Sequence, residues 1–169
     1  LNPGLIVRKV SADQRELTFE RNIHLLTVTP RQPLMPGGMD SLTIVYDGTI
    51  DEHACYIDID EKTRAELFRA WMYNIAKLFS FIEPDYVLLT PEANWYPVAG
   101  LPYGANYPKL GRRDFVNFQL TITTNQGLVA VAPGKMTSNG GGRYRFESET
   151  PLPQLSLAIG HYEKRSIQV

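Results

Sequence analysis

The sequence predicts a mainly β chain of antiparallel strands carrying one long amphipathic α-helix. Three observations lead there. Apolar residues alternate in period two through most of the chain, and clusters of Pro, Gly, Asn and Asp punctuate those runs. One stretch alone, from about 61 to 82, repeats its large apolar residues at spacings of three and four. A pleated strand sends successive side chains to opposite faces, whereas a helix returns to the same face every 3.6 residues.

Leu17, Phe19, Ile23 and Leu25 share one parity and predict a strand; the phase then moves to Leu26 and Val28, which predicts a bulge or bend. Pro30, Pro33, Pro36, Gly37 and Gly38 remove backbone donors or permit unusual torsions, so 30–39 reads as a turn region. Alternation resumes with Leu42, Ile44 and Tyr46, Asp47-Gly48 supplies a turn, and 53–59 reads as a further strand. The helix follows, with Phe68, Trp71, Met72, Ile75, Leu78, Phe79 and Ile82 on its stripe, Asp60 as N-cap and Pro84 as its stop. After a short strand at 86–89, the stretch 91–111 holds seven Pro and Gly breakers and reads as a long ordered loop. Phe118, Leu120 and Ile122 form a strand, Thr124-Asn125-Gln126-Gly127 a hairpin turn, and 128–131 its returning arm; 144–146 and 155–159 complete the series.

At 169 residues, 43% hydrophobic and 21% charged, the chain has the size and composition of a single folded domain, residues 1–169. A net charge of -1 supplies no positive field, so no nucleic-acid partner is expected. The one cysteine, Cys55, has no intramolecular disulfide partner and reads as a small buried hydrophobe. No apolar run approaches the roughly 20 residues that span a bilayer, so this segment is not expected to insert in a membrane. Leu1 at the start and a strand-like Ser166-Ile167-Gln168-Val169 at the end read as the boundaries of a fragment of a larger protein.

Chemistry-bearing patterns are sparse. Metal catalysis needs His, Cys or carboxylates that converge, such as paired histidines one helical turn apart. His24, His53 and His161 are far apart and fall on predicted strands, so no metal site is expected in this chain. Asp51, Glu52, Asp58, Asp60 and Glu61 lack the carboxylate spacing and central glycine of a calcium loop; a solvated turn and a helix cap explain them. Ser138-Asn139-Gly140-Gly141-Gly142 joins two strands and precedes no helix that would hold an anion, so it reads as a hairpin tip. His53 shares a strand face with Cys55, but Asp51 and Glu52 oppose the positive environment a reactive thiol needs. The candidate ligand-binding surface is the aromatic loop: Trp95, Tyr96, Tyr103 and Tyr107 would stack sugars or peptides, or else plug the open end of a sheet.

Five segments in order resemble the N-terminal β domain of the aminopeptidase N family of zinc metallopeptidases: 42–50 (LTIVYDGTI), Trp95-Tyr96-Pro97, 118–122 (FQLTI), 128–134 (LVAVAPG) and 151–160 (PLPQLSLAIG). The last is the most specific, an apolar strand closed by Gly160 and the aromatic Tyr162. The resemblance covers about 15–169 and implies a twisted β-sandwich or saddle that precedes a catalytic domain. That domain would bear the Gly-x-Met-Glu-Asn strand and the His-Glu-x-x-His helix, neither of which this sequence contains. The chain would then be non-catalytic and hold no cofactor, with zinc confined to the catalytic domain. Its partners would be that domain of the same parent chain and the peptide substrate. The helix at 61–82 departs from ordinary members and is similar to divergent peptidase regions fused to permeases of the ABC type. That likeness implies an extracytoplasmic, membrane-associated parent. Where the family places a substrate-facing Gln or Glu, this sequence has Val87-Leu88-Leu89-Thr90, so no substrate residue carries over and Glu92 is the candidate in that stretch.

Overall fold

The computed structural model describes residues 1–52, 54, 80–99, 115–138, 140–163 and 165. Over these residues the protein is mainly β, with twelve strands that pair antiparallel throughout and one short 3-10 turn, Pro91–Ala93. The chain divides into two compact units, the first from Leu1–Lys77 and Ala93–Lys109, the second from Leu78–Glu92 and Leu110–Val169.

In the first unit β1 (Leu5–Ala12) lies between β2 (Arg15–Glu16) and β5 (Thr43–Gly48). The register of β1 on β5 slips between Val7 and Lys9, a bulge that breaks the inward-outward alternation of β1. Arg8 lies at that break, and its guanidinium grips the Asp47 carboxylate with Nε at 3.1 and 3.0 Å and an Nη at 2.9 Å. Asp47-Gly48 does not turn the chain as the sequence suggests. It stays in β5, pairing with Ile6 and Leu5, and Gly48 (φ +131°) approaches the Gly4 carbonyl so closely that a Cβ would have no room. β3 (Phe19–Asn22) and β4 (Leu25–Val28) form a hairpin where one strand was expected. The turn is Ile23-His24, so His24 sits in a turn rather than on a strand. Among the described residues, Val10, Leu5, Leu17 and Trp95 are the large buried apolar side chains of this unit.

The second unit holds two sheets. One has the order β6 (Ser80–Glu83), β7 (Tyr86–Leu89), β12 (Leu157–Gly160), β9 (Val129–Val131). The other runs β10 (Lys135–Ser138), β11 (Arg143–Glu147), β8 (Gln119–Thr123). In the three-stranded sheet, Leu120, Ile122, Tyr144 and Phe146 share a face, and Gln119, Arg145 and Glu147 share the other. Phe146 and Ile122 are buried with Leu89, Ala130, Leu155 and Leu157.

Two sequence expectations are corrected in this unit. Residues 61–79 of the predicted helix lie outside the described residues, but its last three positions, 80–82, belong to β6, which pairs with β7. Pro84 does not stop a helix. With Asp85 it makes the two-residue turn of the β6–β7 hairpin, where its fixed φ suits the first central position. The predicted hairpin of 118–122 with 128–131 is also not formed: β8 pairs with β11, and β9 with β12. Thr124-Asn125-Gln126-Gly127 does turn the chain, but the arm beyond it joins the other sheet; the Thr124 amide donates to Gly142 at 2.9 Å. Gly140, Gly141 and Gly142, all at positive φ, close β10 onto β11 as a hairpin tip, as the sequence suggests.

Candidate functional site

In the first unit the main polar feature is built around Asn2, which is 0% exposed. Its Nδ2 donates to the carbonyls of Ala93 (2.8 Å) and Asp51 (3.1 Å), and its Oδ1 accepts from the amides of Asp51 (2.8 Å) and Gly4 (3.0 Å). The Asn2 amide donates to Asn94 at 2.7 Å. Arg21 reaches the same place from β3: it donates to the carbonyls of Leu1 (2.7 Å), Asn2 (2.9 Å) and His24 (3.2 Å). Partial burial lowers the Arg21 pKa from its ordinary value.

This clasp anchors the start of the aromatic loop. Trp95 is only 9% exposed, its ring meets that of Tyr96 edge-on at 75° with centroids 4.8 Å apart, and its carbonyl accepts the Tyr46 hydroxyl at 3.3 Å. Burial raises the Tyr46 pKa. The Trp95 Nε1 is buried without a hydrogen-bond partner. A stacking platform must present a ring face to solvent, and Trp95 does not. Tyr96 is half-buried, while Tyr103 and Tyr107 lie outside the described residues. Glu92 is half-buried in the 3-10 turn and belongs to the second unit.

His53 and Cys55 lie outside the described residues, His24 is buried in its turn, and His161 is exposed. Among the described residues no group of three His, Cys, Asp or Glu side chains is placed to hold a metal ion. No helix among them is long and apolar enough to cross a membrane.

The second unit presents a different kind of surface. Register places Phe81, Leu88, Ala158 and Val131 in one row across the four-stranded sheet, with Glu83, Tyr86, Gly160 and Val129 in the next row on the same face. Phe81 is 42% and Val131 47% exposed, and Tyr86 and Tyr162 are exposed beside them. The Tyr162 ring lies over Gly160: a Cβ there would stand 3.3 Å from one ring carbon, with Tyr86 at 3.5 Å. Sequence reading missed this face and the Asn2 clasp. Alternation of Tyr86 with Leu88 and of Val129 with Val131 signals a face, but the register that aligns them is fixed by strands 70 residues apart in the chain.

No protein-family model matches the chain, and comparison with curated proteins and with solved structures found no significant match.

Proposed function

We propose that this chain is a non-catalytic scaffold and docking domain of a larger metallopeptidase-like protein. It packs against a catalytic domain of the same parent and helps to shape that domain's substrate cleft. The observation that carries the reading is the largely apolar face of the β6-β7-β12-β9 sheet, where Phe81, Tyr86, Val131 and Tyr162 stand exposed and Glu83 is the one charge in the two rows. Scattered apolar residues are ordinary on a surface, whereas a contiguous row of them marks a contact. The reading carries with it the twisted β-sandwich or saddle architecture of the aminopeptidase N resemblance. It also implies a parent held at the membrane, outside the cytoplasm, by segments other than this one. Zinc and bond-making belong to the catalytic domain.

The test uses the downstream region of the parent. Mixed with this chain, a catalytic region bearing a zinc-ligand helix should bind it, and Phe81→Lys with Val131→Lys should weaken that binding about tenfold or more without lowering the thermal midpoint. Binding unaffected by both substitutions, or a parent without a zinc-ligand helix, overturns the reading.

The rival reading, a sugar- or peptide-binding module on the aromatic loop, is opposed by the burial of Trp95. Trp95→Ala should cost about 3–5 kcal/mol in urea unfolding. Trp95→Phe should cost about 1 kcal/mol, because it also removes a buried N–H without a partner. A folded, fully stable Trp95→Ala variant that loses glycan or peptide binding would restore the module.

A further inference from the structure

The connection between β4 and β5 includes 30–42, and every residue of that stretch is exposed. The hydrogen bonds within it are local: the Gly38 amide donates to the Met35 carbonyl at 2.8 Å and the Ser41 amide to the Asp40 carboxylate at 2.7 Å. The last tie to the body of the unit is the Thr29 amide, which donates to the Thr18 carbonyl at 3.0 Å just past the open end of the β3–β4 hairpin. Exposed backbone without ladder bonds can be drawn into the cleft of an endopeptidase as it stands, whereas a strand must first leave its sheet. One bond in the stretch is marked chemically. Arg31 is its single basic residue, and among the described residues every other Lys and Arg except Arg165 lies in a strand. An arginine-directed endopeptidase pairs such a guanidinium with a carboxylate in its specificity pocket. Gln32 keeps the N–H of the bond that follows Arg31, and Pro33 stands one residue beyond it.

A cut at that bond leaves the two sides held together. Strands β1 to β4 all precede it, and β1 pairs with β5 beyond it, from Leu5 with Gly48 through to Ser11 with Thr43. Arg8 grips Asp47 across the cut, and Asn2 bonds across it to Asp51, Ala93 and Asn94. The short side also supplies Leu5, Val10 and Leu17, all buried.

We infer that the Arg31–Gln32 bond is a processing site for an arginine-directed endopeptidase, and that its hydrolysis yields a two-chain molecule in which 1–31 stays seated on 32–169. Water balances the step: its hydroxyl goes to the Arg31 carbonyl carbon and its hydrogen to the Gln32 nitrogen as the amide C–N bond breaks. The products are an α-carboxylate on Arg31 and an α-ammonium on Gln32. Both residues are exposed, so neither new charge has to be desolvated.

Trypsin acting on the full chain, quenched while most of it is still uncut, tests this by intact mass and native size exclusion. Fragments 1–31 and 32–169 should appear, co-elute at about 10 μM and separate in urea. The rate of this cut should stay flat in urea below the unfolding transition, because the native chain already offers the bond; a cut that needs unfolding accelerates with urea. Arg31→Gln should slow the cut by at least about a thousandfold, since the carboxylate of the pocket is left unpaired, while Arg31→Lys keeps it. Both variants should retain the wild-type circular dichroism. Asn2→Ala should release 1–31 from the nicked chain about thirtyfold more readily, because it removes bonds that cross the cut. The proposal is overturned by the absence of cleavage at this bond, by a rate that climbs with urea in step with unfolding, or by a nicked wild type that sheds 1–31.

Discussion

Asn2 shows how much one side chain can carry. A carboxamide offers two donor hydrogens and two acceptor positions, and all four are used, by Ala93, Asp51 (twice) and Gly4. Complete satisfaction makes the site costly to alter, because each lost bond strands a buried backbone group. Asn2→Asp removes both donors and sets a carboxylate against two carbonyl oxygens. It should cost roughly 3–5 kcal/mol in urea unfolding at neutral pH, and Asn2→Ala about 2–4 kcal/mol. None of this is legible in the sequence, where Leu1-Asn2-Pro3-Gly4 looks like an ordinary turn. Its partners lie 49 and 91 residues away, beyond the reach of any local pattern. Ile23 is hidden for the opposite reason. The first central position of a two-residue hairpin turn with positive φ normally calls for glycine, and nothing about an isoleucine announces a turn.

At the scale of elements, strands with clean alternation and strong punctuation were legible. Residues 86–89 are a strand where the pattern places them, the strand read at 118–122 is found one residue later at 119–123, and the Gly140-Gly141-Gly142 tip closes a hairpin. β1 was missed because its bulge shifts the phase between Val7 and Lys9, so no parity persists along it. β9 was recognised as a strand but given the wrong neighbour. A turn in the sequence says that the chain changes direction, not which strand receives the next hydrogen bonds. Gly160 supplies this scale's prediction. Its backbone torsion asks nothing special, yet Tyr162 and Tyr86 close over it. Gly160→Ala should cost about 1 kcal/mol and Gly160→Val about 2–3 kcal/mol, as the added methyls displace the Tyr162 ring. Near-ultraviolet circular dichroism, which reports tyrosine packing, should change with both.

The molecule as a whole divides its interactions by solvent exposure. Each unit has an exposed Arg–carboxylate pair: Arg8 with Asp47 in the first, Arg145 with Glu147 at 2.6 Å in the second. The hydrogen bonds from Arg8 hold the Asp47 carboxyl below its ordinary value, and those from Arg145 and Gln119 do the same for Glu147. Depressed folded-state values mean that the unfolded chain binds more protons. Stability from these pairs is therefore complete above the unfolded carboxylate range, at about pH 5. It is lost as pH falls through the depressed values. Because both pairs are solvated, the effect should be small and should shrink in salt. Urea midpoints from pH 6 down to pH 3 should fall less steeply for Asp47→Asn with Glu147→Gln than for the wild type, and the difference should narrow in 1 M salt.

The clasp at Asn2 also orders events in time. Its acceptor at Ala93 belongs to the first unit, but residues 78–92, which precede it, belong to the second. During synthesis at about 5–20 residues per second, the first unit waits several seconds for Ala93 after its own β5 has been made. Throughout that interval the Asn2 side chain lacks its Ala93 acceptor and the Trp95 side chain of the core has not been made. Ribosome-bound chains stalled so that residue 90 has just emerged should be cleaved by protease within 1–28, and chains stalled beyond residue 100 should resist there. The first unit thus begins before the second and yet completes only once part of the second has left the ribosome, so its earliest strands wait on residues made after it.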